Sequence, residues 1–158
     1  MNVLPSQIGL GVAVVAVVAA LYFGLRSKKS SQPIIPDVPK KKRRGFTAAE
    51  LQLCKGEKGQ PLYVGVKGVI YSVSPQFYGP GAAYDCFAGV EASRNLARGT
   101  ISDNEANASW RCLNETEMET LDGWAERFAE KYEVVGWFVP DEEYEARGKQ
   151  LQERPPEE

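Results

Sequence analysis

The stretch from 77 to 89, FYGPGAAYDCFAG, concentrates the side chains of this sequence that could bind a ligand. Two phenols, Tyr78 and Tyr84, flank a Gly-Pro-Gly turn, and the thiol of Cys86 follows two residues after the second tyrosine. A phenol oxygen and a thiol sulfur both bind iron in proteins once they are deprotonated. The simpler alternative is that Tyr84 packs in a loop with a backbone hydrogen-bond partner and that Cys86 is a small buried apolar residue.

The absence of histidine is the most restrictive feature of the composition of this 158-residue chain. It excludes Ser-His and Cys-His nucleophile pairs, HExxH metal sites and bis-histidine iron coordination. Neither a phosphate-binding P-loop nor a GxSxG nucleophile motif is present. We therefore expect a protein that is not an enzyme. The three cysteines, Cys54, Cys86 and Cys112, share no close spacing, which predicts free thiols and no zinc cluster.

Charge is strongly segregated along the chain, although the net charge is only −2. Residues 1–25 carry no charged side chain, and residues 26–44 carry eight Lys/Arg and one Asp, a net of +7. The remaining residues, 45–158, therefore carry −9. This acidic balance excludes nucleic acid as a partner of the folded part.

An uncharged run from 8 to 25, IGLGVAVVAVVAALYFGL, is eighteen residues long. As a helix it would extend about 27 Å, close to the hydrocarbon thickness of a bilayer. Positive charge follows the run and does not precede it, which favours a retained single-pass anchor over a cleaved signal peptide. The positive-inside rule then places the C-terminal domain in the cytosol, and we expect neither of the sequons at Asn107 and Asn114 to be glycosylated. Small residues in the run are compatible with helix pairing, so a homodimer is one alternative.

The rest of the chain divides into a linker, a domain and a tail. Residues 26–44 contain three prolines and end in KKKRR, which predicts an extended basic linker beside the membrane surface. Residues 45–139 are predicted to fold as the domain. Residues 140–158 form a charged tail that we expect to be a frayed helix or, as the better-supported alternative, disordered.

Within the domain, the pattern of residues predicts short strands and separate short helices, an α+β fold. A capping box at Thr47–Glu50 starts a short helix, and two strands at 62–66 and 69–73 are joined at Lys67-Gly68. A short helix is predicted over 90–98, ended by Gly99, and a strand over 131–139.

A longer amphipathic helix is predicted after a second capping box at Thr116–Glu119. Its apolar side chains recur every three or four residues and are most simply core packing: Met118, Leu121, Trp124, Phe128 and Tyr132.

Four segments occur in the order seen in one known family: FTAAEL, PLYVGVKGVIYSVS, FYGPGAAYDCFAGVEASRNLA and FAEKYEVVGW. Over residues 45–139 the chain resembles the membrane-associated progesterone receptor (MAPR) family of cytochrome b5-like haem/steroid-binding proteins. The resemblance implies a cytochrome b5-like domain with a small mixed sheet and short helices that line a ligand pocket.

The resemblance also implies a cofactor, haem b, and the residues that hold it. In this family a tyrosine phenolate ligates the haem iron, and the matching residue here is Tyr84. Tyr78, Lys131 and Tyr132 match the other residues around the haem. From the residues alone Lys131 could equally be a solvated lysine and Tyr132 the end of the apolar helix stripe. Cys86 is the competing iron ligand.

The implied function is a haem holder or sensor that regulates cytochrome P450 enzymes of sterol metabolism from the endoplasmic reticulum membrane. Phenolate ligation favours ferric over ferrous iron, which makes a b5-type electron carrier the least supported alternative. A haem-independent adaptor that binds a steroid or lipid through the same aromatic residues is the main rival. The chain departs from the family pattern at Ala82–Asp85 and at Val90-Glu91, and Asp85 adds a negative charge beside Tyr84.

Overall fold

The computed structural model describes residues 42–154, in which four strands form one mixed sheet. The strands are β1 (Arg44–Thr47), β2 (Tyr63–Val66), β3 (Val69–Ser72) and β4 (Glu133–Val139), in the order β1-β4-β3-β2. β1 runs parallel to β4, whereas β2 and β3, and β3 and β4, pair antiparallel. This small mixed sheet confirms the predicted α+β class.

Five helices and three short 3₁₀ turns surround the sheet. The helices are α1 (Ala48–Gln52), α2 (Pro75–Tyr78), α3 (Ser93–Arg98), α4 (Glu115–Lys131) and α5 (Tyr144–Glu153), and the 3₁₀ turns are Glu57–Gly59, Asp85–Phe87 and Asp103–Glu105. None of the helices within 42–154 is long and apolar enough to cross a bilayer. The predicted anchor at 1–25 lies outside the described residues, as does nearly all of the predicted linker.

The two predicted strands of the hairpin, β2 and β3, join as expected at Lys67 and Gly68. Both residues have positive φ, 49° and 74°, which matches the right-handed twist of a two-residue hairpin. The Lys67 amide also donates to the Ser93 hydroxyl at 2.6 Å. The hairpin tip is therefore tied to the start of α3.

Capping decides where the two best-defined helices begin. Thr47 caps α1 with Glu50, as the sequence predicted. The capping box of α4 is different from the predicted one: Asn114 accepts from the Glu117 amide at 2.9 Å, and the Glu117 carboxylate accepts from the Asn114 amide at 3.1 Å. Asparagine and threonine are both good N-cap residues. The Thr-x-x-Glu pattern at Thr116 therefore matched a capping box equally well, but it starts two residues after the observed N-cap, Asn114.

The helix α4 packs its apolar stripe onto the main core. Leu121 and Phe128 are fully buried, and Met118, Trp124 and Tyr132 pack against the same cluster. This confirms the predicted amphipathic helix. A second, smaller core around Ile70, Phe46 and Phe138 is closed by Tyr144.

The C-terminal segment is an ordered helix packed on the domain, where the sequence predicted a frayed helix or a disordered tail. Tyr144 is buried, packs on Phe138 with ring centroids 5.5 Å apart, and its hydroxyl donates to the Glu91 carboxylate at 3.4 Å. Gly148 approaches the backbone of Ser109 so closely that a Cβ would lie 2.4 Å from the carbonyl oxygen. One tyrosine and one glycine thus hold a segment whose charged composition indicates disorder. Residues 155–158 lie outside the described part.

Candidate functional site

The loop that carries the tyrosines is shaped by two glycines. The short helix α2 ends at Tyr78, and Gly79 follows so closely under Pro75 that a Cβ would lie 2.5 Å from the Pro75 carbonyl oxygen. Gly81 has φ 80°, a left-handed conformation that side chains disfavour. The Tyr84 amide then donates to the Phe77 carbonyl at 3.1 Å. These constraints return the chain so that both tyrosines reach the same surface.

Around this loop lies an aromatic cluster, which comprises Phe77, Tyr78, Tyr84, Phe87, Phe128 and Tyr132. Tyr78 is its centre, with its ring centroid 6.0 Å from that of Tyr84 and 6.1 Å from that of Tyr132. The ring of Tyr84 stacks on Phe87 at 5.9 Å and 13°. Three of the four predicted site residues, Tyr78, Tyr84 and Tyr132, therefore belong to one contiguous cluster.

The fourth predicted residue, Lys131, joins the cluster through its ammonium group. Its Nζ lies 4.4 Å from the ring centroid of Phe77 and 5.3 Å from that of Tyr132. Lys131 is the last residue of α4 and Tyr132 is its C-cap, so the C-terminal end of this helix positions both side chains at the cluster. The strand predicted from Lys131 begins two residues later, at Glu133.

Exposure separates the two tyrosines of the loop. Tyr78 is only 6% exposed, whereas Tyr84 is 39% exposed and the adjoining Phe77 37%. Burial, and then the neighbouring phenols of Tyr132 and Tyr84, raise the pKa of Tyr78 well above its ordinary value, so this phenol is protonated at neutral pH. Tyr84 is thus the phenol of the loop that is accessible to a ligand, and Tyr78 is a buried, protonated phenol beside it.

Asp85 and Cys86, the two residues that follow Tyr84, have interactions that compete with iron binding by their side chains. The Asp85 carboxylate accepts from the Gly81 amide at 3.1 Å, so it closes the turn. Cys86 is half-buried against the main core. Burial, followed by the carboxylates of Asp85 and Asp103, raises the pKa of its thiol, which disfavours the thiolate that would bind iron.

The surface fits a flat apolar ligand that carries acidic groups. Phe77 and Tyr84 offer an exposed aromatic face, Lys131 a cation beside it, and Tyr84 an accessible oxygen donor. Cys54, Cys86 and Cys112 are free thiols, as predicted. Residues 42–154 contain no group of three or more Cys, Asp or Glu side chains arranged to hold a bare metal ion.

Sequence reasoning missed a second constellation, a buried polar network behind α3. Arg94 is completely buried, and its guanidinium donates to Glu105 at 2.6 Å, to the Ser109 carbonyl at 3.2 Å and to Gln152 at 3.3 Å. Arg98 continues the network to Glu105 at 2.9 Å and to Glu117 at 3.0 Å. We call these residues the arginine network. Nothing in their spacing distinguishes the two arginines from solvated ones.

A second missed residue is Glu91, whose carboxyl is fully buried. It accepts from the hydroxyls of Ser93 and Tyr144, and none of the ion pairs within residues 42–154 includes it. Burial raises its pKa to about 7, against the lowering effect of these hydrogen bonds.

A cavity of about 600 Å³ lies between the arginine network and the loop after α3, away from the aromatic cluster. Its wall includes Ala97, Ile101 and Leu151, together with the charged Arg98 and Glu117. Sequence reasoning assigned any apolar ligand to the aromatic residues and did not predict this cavity.

A solved structure of similar sequence indicates the fold class of this chain. The chain is 38% identical in sequence to an Arabidopsis thaliana protein whose solved structure has a cytochrome b5-like fold, with a TM-score of 0.56 and coverage of 60% of this chain and 90% of that one. No protein-family model matches the chain. The fold is therefore that of the cytochrome b5-like domains.

The relatives in sequence define the family. The chain is 34% identical over 131 residues to the cytochrome P450 regulator dap1 of Schizosaccharomyces pombe, covering 77% of this chain and 79% of that protein. It is 32% identical over 112 residues to membrane-associated progesterone receptor component 2 of Homo sapiens, of which it spans about half, 52%. The chain belongs to the membrane-associated progesterone receptor family, as its sequence motifs predicted.

Proposed function

We propose that this chain is a membrane-anchored, non-enzymatic haem-binding protein in which Tyr84 ligates ferric haem b. The observation that carries the proposal is the half-exposed phenol of Tyr84 within an aromatic cluster, in a chain without any histidine. Haem would bring the redox-active iron and a flat apolar surface to this site. A tyrosine phenolate is a known haem ligand, and its negative charge favours ferric iron.

The remaining residues of the cluster have roles that their positions support. Tyr78, buried and protonated, places its ring beside that of Tyr84, and the hydrogen-bond partner of its phenol is Tyr132. Tyr132 packs against Tyr78 and completes the aromatic wall. Lys131 supplies a positive point charge at the exposed rim, suited to a haem propionate.

The absorption spectrum of the full chain tests the ligand assignment. We expect the wild-type protein, purified with haem supplied, to show a haem band that Tyr84→Phe loses and that Cys86→Ser retains. Both variants change a single heteroatom, so they are matched controls for each other. Retention of the band in Tyr84→Phe with its loss in Cys86→Ser would assign the iron to the thiolate and overturn the proposal.

The proposed partners are cytochrome P450 enzymes of sterol metabolism, and the name of the dap1 relative supports this choice. The surface suited to them is on α4, opposite its buried face. Exposed acidic residues recur there every three or four positions, which forms one acidic row: Glu115, Glu119, Asp122, Glu126 and Glu130. The row ends beside Lys131 and Tyr132. A partner with a basic surface would meet it through complementary charge.

Charge reversal tests that surface. Glu126→Lys with Glu130→Lys should weaken binding to a sterol-metabolising P450 and reduce its salt dependence. The matched control, Glu57→Lys with Glu142→Lys, changes the same net charge at exposed positions away from the row. Equal weakening in both double variants would show that only net charge matters and would remove the row from the proposal.

We also propose the endoplasmic reticulum membrane as the location, with the domain on the cytosolic side. The uncharged run of 8–25 followed by positive charge supports this orientation. Asn114 is an exposed sequon residue and serves as an internal reporter, whereas Asn107 is partly buried and accepts from the Glu91 amide. We expect no endoglycosidase-sensitive mass shift. A shift would place the domain in the lumen.

A haem-independent steroid- or lipid-binding adaptor is the second candidate. Relatives named membrane steroid-binding proteins favour it, and so does the cavity beside Ile101 and Leu151. A colourless wild-type protein that still binds a sterol would support this candidate over haem binding. Loss of sterol binding in Ile101→Glu, but not in Tyr84→Phe, would place the sterol in the cavity.

A further inference from the structure

We infer that the domain has its own contact surface for an anionic lipid membrane, formed by Trp137 and Val139 at the end of β4 together with the basic residues Lys42 and Arg43 that precede β1. This inference goes beyond the proposed function, because it concerns how the folded domain meets the bilayer and not whether an anchor crosses it. We call Trp137, Val139, Gly45 and Thr47 the edge patch.

The edge patch is apolar and open. Trp137 is 52% exposed and Val139 40% exposed, although the residue between them, Phe138, is buried in the smaller core. Residues two apart on a strand share one face, so the two side chains form one surface. A large indole exposed to water beside an exposed valine is energetically unfavourable unless something covers it.

Gly45 in the neighbouring strand explains the shape of the patch. Gly45 pairs with Trp137 in the parallel register of β1 and β4. A Cβ on Gly45 would lie 2.7 Å from a methyl group of Val139 and 3.1 Å from the indole nitrogen of Trp137. The two side chains therefore lie flat over the backbone of β1. β1 is the edge strand of the sheet, so the patch lies at the edge of the sheet.

Positive charge reaches the patch through the chain itself. Lys42, Arg43 and Arg44 are exposed and run directly into β1, and Lys40 and Lys41 precede them. Tryptophan is enriched at the membrane–water interface, and clustered lysines and arginines select anionic lipids. An aromatic side chain beside a run of five basic residues is the combination that fits an anionic lipid surface.

The acidic residues nearby do not reverse this balance. Asp141, Glu142 and Glu143 follow β4, but Arg147 pairs with Asp141 at 2.9 Å and lies 3.7 Å from Glu143. Glu50 pairs with Arg44 at 2.8 Å, which leaves Lys42 and Arg43 for the lipid headgroups.

The edge patch is remote from the aromatic cluster. Tyr132 precedes β4 and Val139 ends it, so seven residues of extended chain, about 23 Å, separate them. A domain that rests on lipid through the edge patch keeps Tyr84 and the acidic row of α4 free for ligand and partner.

Tryptophan fluorescence tests the inference, because residues 1–41 contain no tryptophan and the signal therefore reports on the domain alone. The full chain is reconstituted into phosphatidylcholine vesicles with and without phosphatidylserine, and each set is made with plain and with headgroup-proximal brominated lipid. Trp110→Phe with Trp124→Phe leaves Trp137 as the single tryptophan of the chain. The matched control, Trp110→Phe with Trp137→Phe, leaves Trp124, which packs against the core.

We expect brominated lipid to reduce Trp137 emission in phosphatidylserine vesicles, with a blue shift, and to leave Trp124 emission unchanged. Replacing Lys40–Arg44 by glutamine should abolish the reduction while the chain still floats with the vesicles. Flotation reports on the anchor and quenching on the patch, so the two failures are distinguishable. Unquenched Trp137 in a chain that floats would overturn the inference. A blue shift that depends on protein concentration and not on lipid would overturn it in favour of a second copy of this chain.

Discussion

The aromatic cluster and the arginine network draw their residues from overlapping parts of the sequence, 77–132 and 94–152, yet their functional groups have opposite environments. In the cluster, Tyr84 and Phe77 leave more than a third of their surface exposed. In the network, Arg94 is fully buried and each of its nitrogens has an acceptor. Buried charge is stable only when it is paired, whereas a binding group must remain available.

The two groups of residues are expected to serve different properties of the protein, its stability and its ligand binding. The network ties α3 to the Asp103–Glu105 turn, to α4 and to the C-terminal helix α5 through Glu105, Glu117 and Gln152. The cluster makes few such ties. Changes in the network should therefore affect the free energy of unfolding, and changes in the exposed part of the cluster should affect ligand binding.

The largest effect on stability is expected for Arg94→Leu. Loss of the guanidinium removes the donor to the Ser109 carbonyl and one of the two arginine partners of Glu105, which should lower the free energy of unfolding by about 3 kcal/mol. Urea unfolding followed by circular dichroism measures it. Arg111→Leu is the control, because its ion pair with Glu145 is exposed, and it should cost less than about 1 kcal/mol. Similar losses in both variants would contradict the distinction.

Glu91→Gln should change how stability depends on pH. The pKa of Glu91 in the folded protein, about 7, lies above its ordinary value of 4.5. Its stabilising contribution is therefore complete below about pH 4.5 and is lost as the pH rises through about 7. The variant should gain stability relative to wild type over that window, by up to about 3 kcal/mol at pH 8.

The same denaturation series at pH 5 and pH 8 checks this expectation. The exposed Glu57→Gln serves as the control and should track wild type at both values. A wild-type minus Glu91→Gln difference that stays constant with pH would show that the buried carboxyl does not titrate in this range.

Asn114→Ala should have an intermediate effect. It removes the side-chain acceptor for the Glu117 amide at the start of α4, which should cost about 1 kcal/mol. Glu117 also belongs to the arginine network, whereas Lys131 and Tyr132 are at the other end of the helix, so haem binding should be retained. Thr116→Ala, at the residue that the sequence pattern favoured as the cap, should cost less. A larger loss of stability in Thr116→Ala than in Asn114→Ala would instead support Thr116 as the N-cap.

The smallest effect on stability is expected for Tyr84→Phe. Its half-exposed ring remains stacked on Phe87, and only the hydroxyl is removed, so the change should stay within about 0.5 kcal/mol. Thermal unfolding of the ligand-free protein measures it. A large loss would mean that the hydroxyl has a structural role, and any loss of haem in the variant would then reflect unfolding.

Several elements could be predicted from local patterns. The caps at Thr47 and Gly99, the hairpin at Lys67-Gly68 and the stripe on α4 depend on residues within a few positions of each other. The aromatic residues near Tyr84 were also predicted together, since a glycine-rich turn must bring Tyr78 and Tyr84 to one side. Short-range geometry determines these features, so a single sequence suffices.

Other features depend on contacts between distant segments. The order of α5 depends on Tyr144 reaching Glu91 across 53 residues, and the burial of Arg94 depends on Gln152 at 58 residues. A tyrosine or an arginine does not by its type indicate a hydrogen-bond partner so far along the chain, and the charged composition around α5 favoured disorder. The edge patch has the same origin, because the pairing of β1 with β4 brings Gly45 beside Trp137 from more than ninety residues away.

By itself, then, the sequence determined the chemistry that is available: no imidazole, two phenols near a tight turn, free thiols, a basic run before the domain and an acidic domain after it. These follow from residue types and short spacings. Tertiary structure alone decided which of the groups are accessible, leaving Tyr84 half-exposed while Tyr78, Glu91 and Arg94 became buried. The physical reason is that burial, and with it protonation and pairing, is set by side chains that come from far along the chain.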